Sequence, residues 1–132
     1  MKALSIKNPW AYFIFHEGKD VENRTYPTKF RGELLIHASK KSMDLGNCFV
    51  LMPDRFSALD IKRLRTSAER FNSYILGSVW LVDCIQNSKS EWAEKGCWHW
   101  VLENPVLFPE PIWADGKLGF WEAGDISIGG NK

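Results

Sequence analysis

The sequence predicts an α+β domain, a small mixed β-barrel of about six short strands with two to four inserted or flanking helices. Three observations predict it. Apolar runs of strand length, rich in β-branched and aromatic residues, recur between Gly- and Pro-containing turns. Two stretches instead carry helical spacing behind good helix-start residues. The chain has 132 residues, 45% of them hydrophobic and 14% aromatic, with seven Trp, which suits one core without metal or disulfide staples.

Residues 3–6 read as a first strand. Asn8 and Pro9 then open a helix, because Asn caps well and Pro suits the first turn. That helix runs from Trp10 to His16 and turns Trp10, Ile14 and Phe13 one way. Gly18 ends it with a positive φ. Residues 19–25 alternate as a strand with Val21 inward, and 26–32 form a loop. The apolar run 34–38 is a buried strand. Residues 39–74 are mostly helical or irregular. Their clearest helix starts near Ser57, where Ser57 and Asp60 stand as a capping pair and Ile61, Leu64, Ala68, Phe71 and Ile75 recur at helical spacing.

Residues 76–85 make the strongest strand, with Trp80 expected in the core, and 98–103 make another. Trp98 and Trp100 point one way and His99 the other. Pro105, Pro109 and Pro111 are expected to break the chain after Glu103 into short edge pieces. Residues 118–121 are the last strand. The chain therefore reads as one domain over 1–128, with 129–132 as a flexible tail. No internal repeat or low-complexity tract interrupts it.

Several function classes are disfavoured. No apolar run approaches the roughly 18 residues of a membrane span, and the N-terminal stretch lacks the pattern of a signal peptide, so a cytoplasmic protein without membrane partners is expected. The three cysteines, Cys48, Cys84 and Cys97, form no CxxC pair and read as buried thiols. Cys97 and His99 lack the four spaced ligands of a zinc site, so no metal is expected, and no feature requires a cofactor. The net charge of +1 hides an asymmetry. Residues 1–82 carry 13 Lys/Arg against 8 Asp/Glu, and residues 83–132 carry 4 against 8. A basic half suits a polyanionic partner, although a solvated face has the same composition.

Three blocks in order resemble a known family. The opening LSIKNPWA, the segment GKDVENR over 18–24, and RGELLIHAS over 31–39 resemble the ASCH family, as do ILGSV over 75–79 and WHWVLENP over 98–105. The family's G-x-K-x-x-E-x-R signature is represented by Gly18, Lys19, Glu22 and Arg24, with Gly18 directly before the lysine. The resemblance implies a PUA-like barrel with a cleft beside the first helix and an RNA-binding role. For some small members it implies hydrolysis of the acetyl amide of N4-acetylcytidine, and for another ribonuclease activity.

The motif has its own chemistry. Along an extended segment Glu22 and Arg24 share a face, and Lys19 lies at the turn before it. Two cations suit phosphate or carbonyl oxygens, and a carboxylate suits an exocyclic amine. On charge pattern alone the same residues read as a surface ion pair of small worth; the resemblance favours the cleft. Lys7, Trp10, Thr25, Tyr26, Ser39 and Lys40 flank it, with Trp10 and Tyr26 able to stack on bases. Lys40 and Lys41, with Arg63, Arg65 and Arg70, make a candidate phosphate strip. His37 reads as a satisfied strand histidine.

The expected function is therefore binding of RNA, single-stranded nucleic acid or a modified nucleotide or nucleoside. The first alternative is a metal-independent hydrolase, an amidohydrolase on acylated cytidine or a ribonuclease, with Lys19 and Glu22 as catalytic candidates. In the amide-cleaving members the motif lysine works with a threonine two residues before the arginine, and here that place holds Glu22. Thr25 is out of register, and Glu91, Glu94 and Glu103 are the candidates for the distant glutamate. The second alternative is a protein-interaction module.

Overall fold

Strand-forming runs from both ends of the chain meet in one sheet in the computed structural model, which describes residues 1–124. The elements are β1 (Lys2–Ile6), α1 (Trp10–His16), β2 (Val21–Arg24), β3 (Gly32–Ala38), α2 (Leu45–Leu51), α3 (Ala58–Glu69), β4 (Tyr74–Ile85), β5 (Trp98–Trp113) and β6 (Phe120–Glu122). The sheet order is β2-β5-β4-β3-β1-β6. Only β1 and β3 are parallel; the remaining pairs are antiparallel. The sheet curls into a half-barrel, so the fold is α+β and consistent with a small PUA-like barrel. The expected tail at 129–132 lies outside the described residues.

Helix α1 is the hub. Its Ala11 and Ile14 pack into the curl of the sheet with Leu4, Leu34, Ile36, Val79, Leu81 and Trp100. Its Phe13 turns to a second cluster with Cys48, Met52, Ile61 and Trp92, under α2 and α3. Asn8 holds this arrangement from a fully buried position. Its Oδ1 accepts from the Tyr12 amide at 3.0 Å, and its Nδ2 donates to the Ala68 carbonyl and to Asn72 Oδ1, both at 2.9 Å. Every amide atom is thus used, which a buried Asn requires. Gly18 ends α1 at φ +70°. The Ser57–Asp60 capping box forms with both reciprocal bonds, starting α3 where the pairing predicts.

Two expectations need correction. Trp80 is not core: it stands 44% exposed on the outer face of β4. The strand's own pattern explains this, because its neighbours Val79 and Leu81 take the inner face and alternation sends Trp80 out. The prolines do not break the chain after Glu103, since β5 runs unbroken to Trp113. β2 covers β5 only at residues 98–101, so beyond that β5 pairs with β4 alone. Pro105, Pro109 and Pro111 lie on this singly paired stretch, where a missing N–H is tolerated. The strain goes instead into a bulge: Ser78 faces Val106 while Trp80 faces Glu103, and Asn104 takes φ +54°.

Among the described residues no helix is long and apolar enough to cross a membrane. Trp100 is fully buried on the inner face of β5, and His99 is buried too, on the side covered by the 86–97 loop.

Candidate functional site

The edges of the curled sheet are β2 and β6. The curl brings the end of β2 beside β1 without backbone pairing, and side chains bridge the seam. Arg24 Nη2 donates to the Ser5 carbonyl at 3.2 Å, and Trp100 stacks on Phe120 of β6 with centroids 5.4 Å apart. A cleft of about 490 Å³ opens along this seam, within the usual range for ligand sites. Every candidate binding residue except Lys40 lines it: Lys7, Trp10, Lys19, Glu22, Arg24, Thr25, Tyr26 and Ser39. Lys40 is exposed and outside the lining. It follows the last residue of β3 by two positions, where Ser39 turns in to bond the Ile6 carbonyl.

Lys19, Glu22 and Arg24 form a relay along the cleft floor. Glu22 is buried and gives one oxygen to each cation: Oε1 to Lys19 Nζ at 3.1 Å, and Oε2 to Arg24 Nε at 3.0 Å. Lys19 is 4% exposed and also donates to the Val21 carbonyl on β2's unpaired side. Period-two alternation places Glu22 and Arg24 together, and the Gly18 turn swings Lys19 under them. The trio carries a net positive charge, and the guanidinium also lies 5.6 Å from the centre of the Trp100 ring. A buried carboxylate with a cation on each oxygen orients those cations.

The cleft walls are aromatic. Trp10, half-buried, packs edge-on against Phe13 at 5.8 Å. Tyr26 is 48% exposed, with its ring edge-on to Trp100 and its carbonyl accepting from Trp100 Nε1 at 3.1 Å. Trp92, buried against Phe13 and Phe56, closes the far wall. Met43, Leu51 and Leu118 add an apolar lip.

Sequence reasoning missed Asn23 and Trp92 and left Glu94 as one of three glutamates. Glu94 lines the cleft; Glu103 is exposed on β5, and Glu91 pairs with Arg55 at 3.0 Å on the surface. The loop over 86–97 carries Trp92 and Glu94 and is held mainly by side chains. Asn23 Nδ2 donates to the Trp92 carbonyl, and Asn23 Oδ1 accepts the Glu94 amide, both at 2.9 Å. His99 accepts the Ser88 amide on Nδ1 at 3.1 Å, which leaves Nε2 to donate to the Glu94 carbonyl at 2.7 Å. Cys97 donates its thiol to Glu94 Oε2 at 3.0 Å. Burial and that carboxylate push the Cys97 pKa up to about 11, so the thiol stays protonated at neutral pH.

None of the three histidines lines the cleft. His37 is satisfied between Ser5 Oγ at 3.0 Å and the Ala114 carbonyl at 2.8 Å. His16 stacks on Tyr12, and burial lowers its pKa. In the candidate phosphate strip, Lys40, Lys41, Arg63 and Arg70 are exposed, but Arg65 is committed to Glu69 and to the Met43 carbonyl. Among the described residues no group of His, Cys, Asp or Glu is arranged to hold a metal ion.

Against known families, the model of the ASCH domain matches residues 4–110 of the chain. No curated protein matches it.

Proposed function

The chain belongs to the ASCH domain family, and from that premise we propose that the seam cleft binds RNA or a modified nucleotide. The observation that carries this reading is the Lys19–Glu22–Arg24 relay, with Lys19 and Glu22 buried and Arg24 partly exposed, a net positive floor beneath aromatic walls. The cations suit phosphate or carbonyl oxygens, and Tyr26 offers an open ring for stacking. A structural brace is the competing account of the relay, since Arg24 also ties β2 to β1. The cleft's size and its exposed Tyr26 favour a ligand, because a brace alone needs neither.

Fluorescence titration of a short single-stranded RNA tests it. Affinity falls as salt rises, because phosphate contacts release counterions. Tyr26→Ala, which removes the exposed ring and the long 3.4 Å bond its hydroxyl accepts from Arg24 Nη1, weakens binding by roughly 1–3 kcal/mol. Lys19→Ala weakens it as well, with the fold checked by circular dichroism. Salt-independent affinity, or unchanged binding by both variants, would remove the cleft from the reading.

A hydrolase is the second reading, favoured by one observation: Lys19, Thr25 and Glu94 line the same cleft although Thr25 is out of register with the family's threonine. Mass-spectrometric turnover of acylated cytidines and RNA by wild type, but not by Lys19→Ala, would establish it.

A further inference from the structure

We infer that Glu94 is the specificity-determining residue of the cleft, and that it selects ligands presenting a hydrogen-bond donor edge, the exocyclic amine of cytosine or adenine, over uracil. This rests on the nucleic-acid reading above. The motif glutamate is less suited to this work, because it is buried and Lys19 and Arg24 each bond one of its oxygens. Glu94 differs. Cys97 holds Oε2, and among the described residues no donor reaches Oε1. It is thus the more open of the two cleft carboxylates, and the one with an oxygen that accepts no bond among the described residues.

The surroundings keep that acceptor in place. Asn23 sits between Glu22 and Arg24 in β2, and its amide spans the 92–94 turn from the Trp92 carbonyl to the Glu94 amide. His99 takes the Glu94 carbonyl from below. Cys97 can only donate to the carboxylate, so it fixes Oε2 as acceptor and leaves Oε1 free. A carboxylate pairs with an amine donor and repels a carbonyl oxygen, so the discrimination has a sign. Trp92, on the same loop, walls the cleft beside it. Asn23 is in these terms a positioning residue for Glu94.

The test is binding of short, dye-labelled oligo(C), oligo(A) and oligo(U) RNA by the whole chain and two variants. Wild type binds oligo(C) and oligo(A) more tightly than oligo(U), by at least about fivefold. Glu94→Gln, which replaces an obligate acceptor by an amide, abolishes or reverses that order while keeping the wild-type salt dependence. Cys97→Ala disturbs the loop but leaves the carboxylate, and keeps the order. Equal wild-type affinities, an order that survives Glu94→Gln, or an order lost in Cys97→Ala would each overturn the assignment while leaving RNA binding standing. Absence of binding to all three at low salt would overturn RNA binding, and this inference with it.

Discussion

Glu22 gives both carboxylate oxygens to cations while itself only 7% exposed. Such an arrangement costs desolvation when it forms and costs more when it is broken on one side. Glu22→Gln therefore destabilises the fold by about 3 kcal/mol, because Lys19 is left at 4% exposure with no counter-ion. Lys19→Met together with Glu22→Met loses less than Glu22→Gln alone, since the buried Lys19 charge goes with its partner and only Arg24, at 18% exposure and still bonded to the Ser5 carbonyl, loses its carboxylate. Arg31→Ala, which removes an exposed 3.9 Å pair with Asp83, changes stability by less than about 1 kcal/mol. Urea unfolding of the variants measures all three. Equal losses at Glu22 and Arg31 would mean that the relay is solvated and contributes as a surface pair does. The spacing of Lys19, Glu22 and Arg24 made their shared face legible in the sequence. Their burial was not legible, because it comes from the seam and from no neighbour in the chain.

Elements defined by local chemistry were the readable ones. The Ser57–Asp60 pair caps α3 through contacts three residues apart, and Gly18 ends α1 in the conformation that favours glycine. β5 was misread because a proline's effect depends on which side of a strand is covered, and that is settled by β2, some eighty residues earlier in the chain. Trp92 was missed, and Glu94 was left as one of three glutamates, for the same reason. They sit in a loop without strand or helix periodicity, and Asn23 brings them to β2 across about seventy residues. Gly77 shows how tightly β4 and β5 are fitted. A Cβ there would lie 2.1 Å from the Val106 carbonyl oxygen and 2.8 Å from the Phe15 ring. The backbone oxygen cannot swing aside as a side chain would. Gly77→Ala should therefore cost roughly 1–3 kcal/mol, the range for forcing volume into a packed interior. Gly46→Ala in α2 is the matched control. Its new Cβ meets only Asp44 Oδ1 at 3.4 Å, and helix propensity favours Ala by up to about 1 kcal/mol. Thermal melts that rank the two variants the other way would place the β4–β5 contact outside the stability-limiting core.

A half-barrel closed by side chains behaves differently along its seam and at its back. β3 and β4 are paired on both sides through most of their length, whereas β2 has four residues and one backbone partner, β5. The seam opposite is spanned by Arg24 to the Ser5 carbonyl and by Trp100 on Phe120. Local opening is cheapest where few backbone bonds must break, so β2 and the 86–97 loop sit at the low end of the molecule's stability range. The cleft is built from those same parts. A ligand that fills it binds only the closed form and adds stability by mass action, about 2.7 kcal/mol at a hundred times Kd. Hydrogen exchange read by mass spectrometry should then show fast exchange across residues 19–26 and 86–97 in the free protein. Saturating RNA slows exchange in those two segments and leaves the centres of β3 and β4 unchanged. Protection spread evenly over the sheet would mean that the ligand stabilises the whole fold without closing the seam. Protection confined to the exposed cations near Arg63 and Arg70 would move the binding surface from the cleft to the helix face.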